Sequence, residues 1–383
     1  MIDITQATLD QVEPGGKLYL PAGDYMVPAT VRRSSPISIR GDGPASTLHL
    51  PEGATHIPLL VQAESPGVIE WVNISDLTID LHGGGQYSGA ALQLNNCVDV
   101  VERVHFRNGS RHDGFKGVNA VGGADANGAG APSHTIRDCT FRGFSKAPIN
   151  ITTGTRFALV EGNRITMCTG TTGRTPGIQV SGAEHFVVVA NHVDGVDGWG
   201  IVVGSVGVNP PVGLASTHGV VAHNHVVQVG IGGQSREGVA IVNAYSDQPR
   251  MISIHHNVIR GAEGKAVLVQ HARGVEVEAN IVDGCGGHGV SVESSQDVVV
   301  RSNRLYAVNG EGLADYSGVS VHASADVDVV GNRLRNSPNA RACVLVDATS
   351  IGVRVLDNLP GGRTPLALFG GGALPADLIQ RWT

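Results

Sequence analysis

The sequence predicts an all-β protein built as one parallel β-helix, a solenoid of about twelve coils with short helical caps. Two recurrent phrases and one sharp minimum spacing predict it. The first phrase, V-x-x-N-x-(V/I/L), centres on Asn163, Asn191, Asn224, Asn257, Asn280, Asn303 and Asn332, and a last copy, VLDNLP, carries Asn358. Earlier copies keep the apolar frame but put Leu77, Val104 or Cys139 in the asparagine slot, preceded by ISIRGDG near Asp42. The second phrase, G-(V/I)-x-(V/I), begins at Gly177, Gly200, Gly238, Gly289 and Gly318, with AVLV at Ala266 as a variant. Successive slots are never closer than the 23 residues between Asn257 and Asn280, which sets the length of a minimal coil.

Each element follows from these patterns. Both phrases alternate apolar residues with period two, the mark of a strand. The apolar residues are mostly Val, Ile, Leu and Ala, and only 4% of the chain is aromatic, which suits thin stacked strands. A coil of this size buries its apolar face only against its neighbours. Asparagines stacked in one column hydrogen-bond along the axis and satisfy turn backbone. Replacing Asn257 or Asn280 by an apolar residue is therefore expected to cost about 1–3 kcal/mol. Open solenoid ends need covers. A helix from Thr5 to Val12, ended by Pro14-Gly15-Gly16, is expected within an N-terminal cap of residues 1–30, and one from Pro375 to Trp382 within a C-terminal cap of residues 361–383. Coils fill 31–360, and no linker divides them, so a single domain is expected.

Composition narrows the function. The 27 Lys and Arg against 34 Asp and Glu leave a net charge of −7, which offers no general attraction to nucleic acid or anionic membrane. The five cysteines are scattered, without a CxxC pair, and indicate neither a disulfide framework nor a zinc knuckle. The start lacks a basic and an apolar leader region, so a cytoplasmic protein is expected, or a secreted one if a leader has been removed. A monomer and a homo-oligomer fit equally.

The opening GGKLYLPAGDYMV and ISIRGDGPASTLHL, followed by N-x-(V/I) coils, resembles the right-handed parallel β-helix proteins of the pectate-lyase-like superfamily over essentially the whole chain. The resemblance implies a right-handed solenoid. It covers polysaccharide lyases, glycoside hydrolases, uronan epimerases, phage tailspikes and noncatalytic repeat proteins, and fold alone does not choose among them.

Coils longer than the minimum must eject loops, and loops on a rigid scaffold carry function. The excess falls at 119–134, at TGTTGRTP before Gly177, at 204–219, and on both sides of the Gly238 strand as GIGGQSRE and NAYSDQPR. These insertions flank one strand column and are expected to wall a groove over it. Its floor is the outward x position of the second phrase, read as Gln93, Lys116, Asn150, Gln179, then Val202, Ala240, Leu268, Ser291, Ser320 and Leu345. Polar side chains in the first half suit a sugar, with Trp199, Asn243 and Tyr245 as further binding residues. The ionisable candidates are Lys116, Asp113, His112, Arg174, Asp197 and Glu237.

In β-helix lyases acting on uronates, a Lys or Arg removes the proton next to the carboxylate while a second cation or Ca²⁺ neutralises the enolate. The resemblance implies that role for Lys116 with Arg174 or Lys146. A hydrolase needs paired carboxylates roughly 5 to 10 Å apart, for which Asp113, Asp197 and Glu237 are the available acids. The leading expectation is a carbohydrate-active lyase on an oligosaccharide or small-molecule substrate. A hydrolase, a cyclase or isomerase of a small metabolite, and a noncatalytic scaffold are the alternatives. No cofactor motif stands out. Ca²⁺ enters only through the resemblance, and no DxD cluster stands on the floor. GGHGVSV at Gly286 lacks the other elements of polygalacturonases, so His288 is expected to be a turn residue. The DPH signature of mannuronan epimerases is absent, with RHDGF a loose echo. His192 with His225, and His223 with His256, stack in adjacent coils, but neither pair has a third ligand in register, and surface stacking is expected.

Overall fold

Parallel pairing dominates the structure, a computed structural model that describes residues 2–63, 67–81, 89–109, 116–122, 132–170, 175–205, 215–231, 237–243, 248–309, 316–361 and 367–369. The chain divides into two compact units, 1–197 and 198–383.

In the first unit each coil contributes to three strand columns. The first-phrase strands Cys97–Arg107, Ser133–Arg137, Thr155–Glu161 and Ala183–Val189 stack in one column. Thr140–Arg142, Arg164–Cys168 and His192–Val196 form the second, on the far side of the asparagine corner. Val31–Arg33, Leu59–Gln62, Ala90–Asn95, Lys116–Val121, Ile149–Thr152 and Ile178–Val180 form the third. The expected cap helix spans Gln6–Asp10, with the Thr5 and Thr8 side chains forming a capping box. The buried Arg33 ties down the end of this helix and the turn after it, its guanidinium donating to the Leu9, Val12 and Glu13 oxygens at 2.8–3.0 Å. The C-terminal helix expectation lies outside the described residues.

The second unit repeats the scheme. Thr217–Ala222, Arg250–His255, Arg273–Glu278 and Gln296–Arg301 stack in its first column, and His225–Val229, Val258–Ala262, Ile281–Cys285 and Arg304–Val308 in its second. In the third, Ile201, Val239, Val267, Val290 and Val319 are successive partners. The second-phrase strands after Gly200, Gly238, Ala266, Gly289 and Gly318 thus share one sheet in the expected register. At the glycines of this phrase the coils approach closely, whereas the same place in the coil after Gly238 holds Ala266. A Cβ on Gly238 would stand 2.5 Å from Ile259 Cγ2 and 2.8 Å from the Ala266 carbonyl oxygen. Gly238→Ala should lower stability by about 2–3 kcal/mol, read as a drop in thermal midpoint, since a packed core resists an added methyl. An unchanged midpoint would show that the coil spacing yields.

The asparagine column is a ladder. Asn257, Asn280, Asn303 and Asn332 are fully buried. Asn224 to Asn257, Asn257 to Asn280, Asn280 to Asn303, Asn303 to Asn332 and Asn332 to Asn358 are joined in the same way, the first residue's backbone N–H and Nδ2 both donating to the next Oδ1 at 2.9–3.0 Å. In the first unit, Asn163 donates likewise to Asn191, and Cys139 in the preceding slot gives its N–H to Asn163 Oδ1. The residue before each slot is left-handed, from Asp76, Arg103 and Asp138 in the first unit to His223, His256, Ala279 and Ser302 in the second. That backbone state costs roughly 1–2 kcal/mol for a residue with a Cβ. The ladder bonds that the corner makes possible offset it.

Candidate functional site

The floor of the third column in the first unit is a line of amides. Register runs from Arg32 through Leu60, Gln93, Asn119 and Asn150 to Gln179. Asn119, not Lys116, stands between Gln93 and Asn150. The reason is Gly117: its Cβ would lie 2.5 Å from the Pro148 oxygen and 2.7 Å from Phe141 Cδ1, so it is the phrase's close-contact glycine and GVNA is the true copy. Residues 119–121 therefore belong to strand Lys116–Val121 rather than to the ejected loop.

The amides are wired together. Asn119 Nδ2 donates to Gln93 Oε1 at 2.7 Å, and Asn150 Nδ2 donates to Asn119 Oδ1 at 2.5 Å. Gln179 Nε2 donates to Ser181 Oγ at 3.1 Å. Lys116 remains part of this floor, because its Nζ donates to Asn119 Oδ1 at 3.1 Å. Burial, and secondarily the Lys146 charge, push its amine down to about 8. A Lys in that range is an available base near neutral pH, since its neutral form has a free lone pair. An open cleft of about 570 Å³ adjoins the start of the same column and is lined by Gln6, Asp10, Arg32, Leu60 and Gln62.

The other candidates divide. Asp197 is buried, and its two oxygens accept the backbone N–H groups of Thr175 at 3.0 Å and Gly170 at 2.5 Å. Burial raises its pKa against the lowering pull of those donors. Its geometry is that of a clamp on the backbone of Gly170 and Thr175. In the second unit, Glu237 is buried in the turn before strand Val239–Asn243, which ends at Asn243. His112, Asp113, Arg174 and Tyr245 lie outside the described residues, as do the central parts of the insertions expected to wall the groove.

The second unit corrects one expectation. Val202, Ala240 and Leu268 occupy the outward positions in register, yet they are buried with Trp199 and Val242 in one apolar cluster. Trp199, expected from the sequence as a binding residue, packs within this cluster. His288 is a turn residue as expected: its Nδ1 accepts the Ser317 N–H at 3.0 Å and Tyr316 meets its ring edge-on.

Sequence reasoning missed a polar cluster inside the solenoid. Asp99 and His134 are register partners pointing inward, with Asp99 Oδ2 and His134 Nδ1 2.5 Å apart and Cys97 Sγ 3.4 Å from the same oxygen. All three are buried, and among the described residues Asp99 Oδ1 and His134 Nε2 have no hydrogen-bond partner. The alternation C-V-D-V-V already places Cys97, Asp99 and Val101 on one inward face. His134 was hidden by its position at the edge of an insertion.

Similarity to known proteins gives the handedness of the second half of the chain. Residues 177–359 match the family model described as the right handed beta helix region. The fold is a parallel β-helix, right-handed over the matched stretch. Solved β-helix structures resemble the chain along most of its length. The A-module of Azotobacter vinelandii mannuronan C-5 epimerase AlgE4 is 18% identical, with 95% of this chain and 92% of that one covered at a TM-score of 0.63. The periplasmic alginate epimerase AlgG is 14% identical over 87% of this chain and 78% of its own, with a TM-score of 0.54. The pre-mature bacteriophage phi29 gene product 12 is 15% identical, over 92% of this chain but 50% of its own, with a TM-score of 0.67. No curated protein matches the sequence. At such identities the shared property is the β-helix itself.

Proposed function

We propose that the protein is a carbohydrate-active lyase that binds an acidic sugar over the amide line Gln93–Asn119–Asn150 and removes a proton next to the sugar carboxylate with Lys116. The observation that carries this reading is a lysine whose amine is lowered to about 8 and hydrogen-bonded to that line. The neutral amine takes the C5 proton, the electron pair passes into the carboxylate as an enolate, and its return expels the C4 oxygen to leave a C4–C5 double bond. Lys146, exposed and close enough to depress Lys116, is the cation for the carboxylate. A paired-acid hydrolase is less favoured, because both oxygens of Asp197 are engaged by backbone N–H groups.

A second reading shares the first step. The AlgE4 and AlgG structures carry the names of C-5 or alginate epimerases, and returning the proton to the opposite face of the same enolate is epimerisation. Both readings are tested with alginate and polygalacturonate. Elimination yields ultraviolet-absorbing unsaturated uronates; epimerisation changes the ratio of C5 epimers without absorbance. For either, Lys116→Ala should lower kcat at least about 100-fold. The wild-type rate should climb with pH and level off above about 8, as the amine loses its proton. Full activity in Lys116→Ala, or a rate that falls through that range, would overturn Lys116 as the base.

A further inference from the structure

Three imidazoles converge at one outer corner of the second unit. His223 and His256 occupy the same left-handed position in adjacent coils, each with φ of 55°, and each directly precedes a ladder asparagine. Their rings stack 5.2 Å apart with planes 19° from parallel. His255 closes the strand Arg250–His255 and meets both edge-on, at 5.8 Å from His223 and 5.2 Å from His256. His255 Nδ1 and His256 Nδ1 are 3.0 Å apart, and one ring nitrogen from each of the three histidines lies within 4.8 Å of the others.

His255 is the third ligand that the sequence pattern conceals. In a regular strand, neighbours 255 and 256 point to opposite faces. The left-handed backbone at His256 reverses the turn, so both side chains face outward.

We propose that His223, His255 and His256 form a binding site for a divalent first-row transition ion such as Zn²⁺. Three neutral imidazoles are the donor set that such ions take from a protein, with Zn–N bonds of about 2.0–2.1 Å and a fourth position left for water. Those bond lengths require nitrogens roughly 3.4 Å apart in a tetrahedral site. The present separations reach that by small ring rotations, since His223 and His256 are exposed and His255 is half-buried. The backbone beneath is held, because the Asn224 N–H and Nδ2 both bond Asn257 Oδ1 at 3.0 Å. Little ordering cost then falls on the ligands. Glu278, the register partner of His255 in the next coil, is tied to Arg301 at 2.9 Å and leaves the open position to water. Because His223 lies one coil before His255 and His256, the ion clips two neighbouring coils together on their outer surface.

The test uses the full chain after chelator dialysis, titrated calorimetrically with Zn²⁺ and followed by visible absorption with Co²⁺. The wild type should bind Zn²⁺ at this site, raise its thermal midpoint with the ion, and give the intense bands of a low-coordinate Co²⁺–histidine complex. His255→Asn and the double variant His223→Asn/His256→Asn should each lose at least about tenfold in affinity, and with it the midpoint rise and the Co²⁺ bands. Asparagine tolerates the left-handed corner, so these variants keep the fold, which an unchanged circular dichroism spectrum and ion-free midpoint check. His271→Asn, at an exposed left-handed position (φ 50°) outside the cluster, should bind as the wild type does. Wild-type affinity in the cluster variants, or no binding by the wild type, would overturn the site.

Discussion

Asn280→Leu should destabilise the protein by about 3 kcal/mol, more than a single lost hydrogen bond would suggest. The Asn280 Oδ1 accepts both the N–H and Nδ2 of Asn257, while its own Nδ2 donates to the Ile254 oxygen at 2.9 Å and to Asn303 Oδ1 at 3.0 Å. Leucine fills the space but returns none of these. Asn257 keeps its Nδ2 bonds to the Val221 and His255 oxygens, so the orphan is its buried backbone N–H. Hydrogen exchange at the Asn257 amide reads this directly: it should be strongly protected in the wild type and exchange much faster in the variant. Equal protection and an unchanged denaturation midpoint would mean that the ladder is decorative.

Lys116→Met should abolish activity and yet raise stability by about 3 kcal/mol at pH 7. Folding lowers the amine from its ordinary 10.5 to about 8, because burial disfavours the charged form. The sign follows from linkage. Below about 8 the folded protein carries a protonated amine in a place that resists it, and the full cost is present. As pH rises from 8 to 10.5 the cost fades, since the folded amine has shed its proton while the unfolded chain still holds it, so the unfolded state gives up more stability with each step of pH. The difference between variant and wild type should therefore be large at pH 7 and small near pH 10.5. A destabilised Lys116→Met, or a gap that does not change with pH, would show that the lysine is solvated and unsuited to act as a base.

Much of this was legible without coordinates. The asparagine slots, the apolar copies at Leu77, Val104 and Cys139, and the second-phrase register from Gly200 to Gly318 follow from a strict spatial repeat written into a linear one. Local errors arose where the pattern is ambiguous by one step. KGVNAV offers two frames, and only the contact between Gly117 and Phe141 selects the frame with Asn119 on the floor. His255 escaped because alternation fails at a left-handed residue, and His134 because it borders an insertion.

The β-helix is written in the linear pattern: period-two alternation, a minimum coil of 23 residues and the asparagine slot leave stacking as the way to bury the apolar faces. The surroundings of the candidate residues come from the stacking of coils. The amine of Lys116 is lowered by burial and by Lys146, 30 positions further along the sequence; Asp197 is spent on Gly170 and Thr175; Trp199 is packed among Val202, Ala240 and Leu268; and three histidines from two coils meet at one corner. Distance separates the two cases. Residues one coil apart are separated by 23 or more positions in the sequence but by about 5 Å in space, and desolvation, charge coupling and ligand convergence all act over the second length.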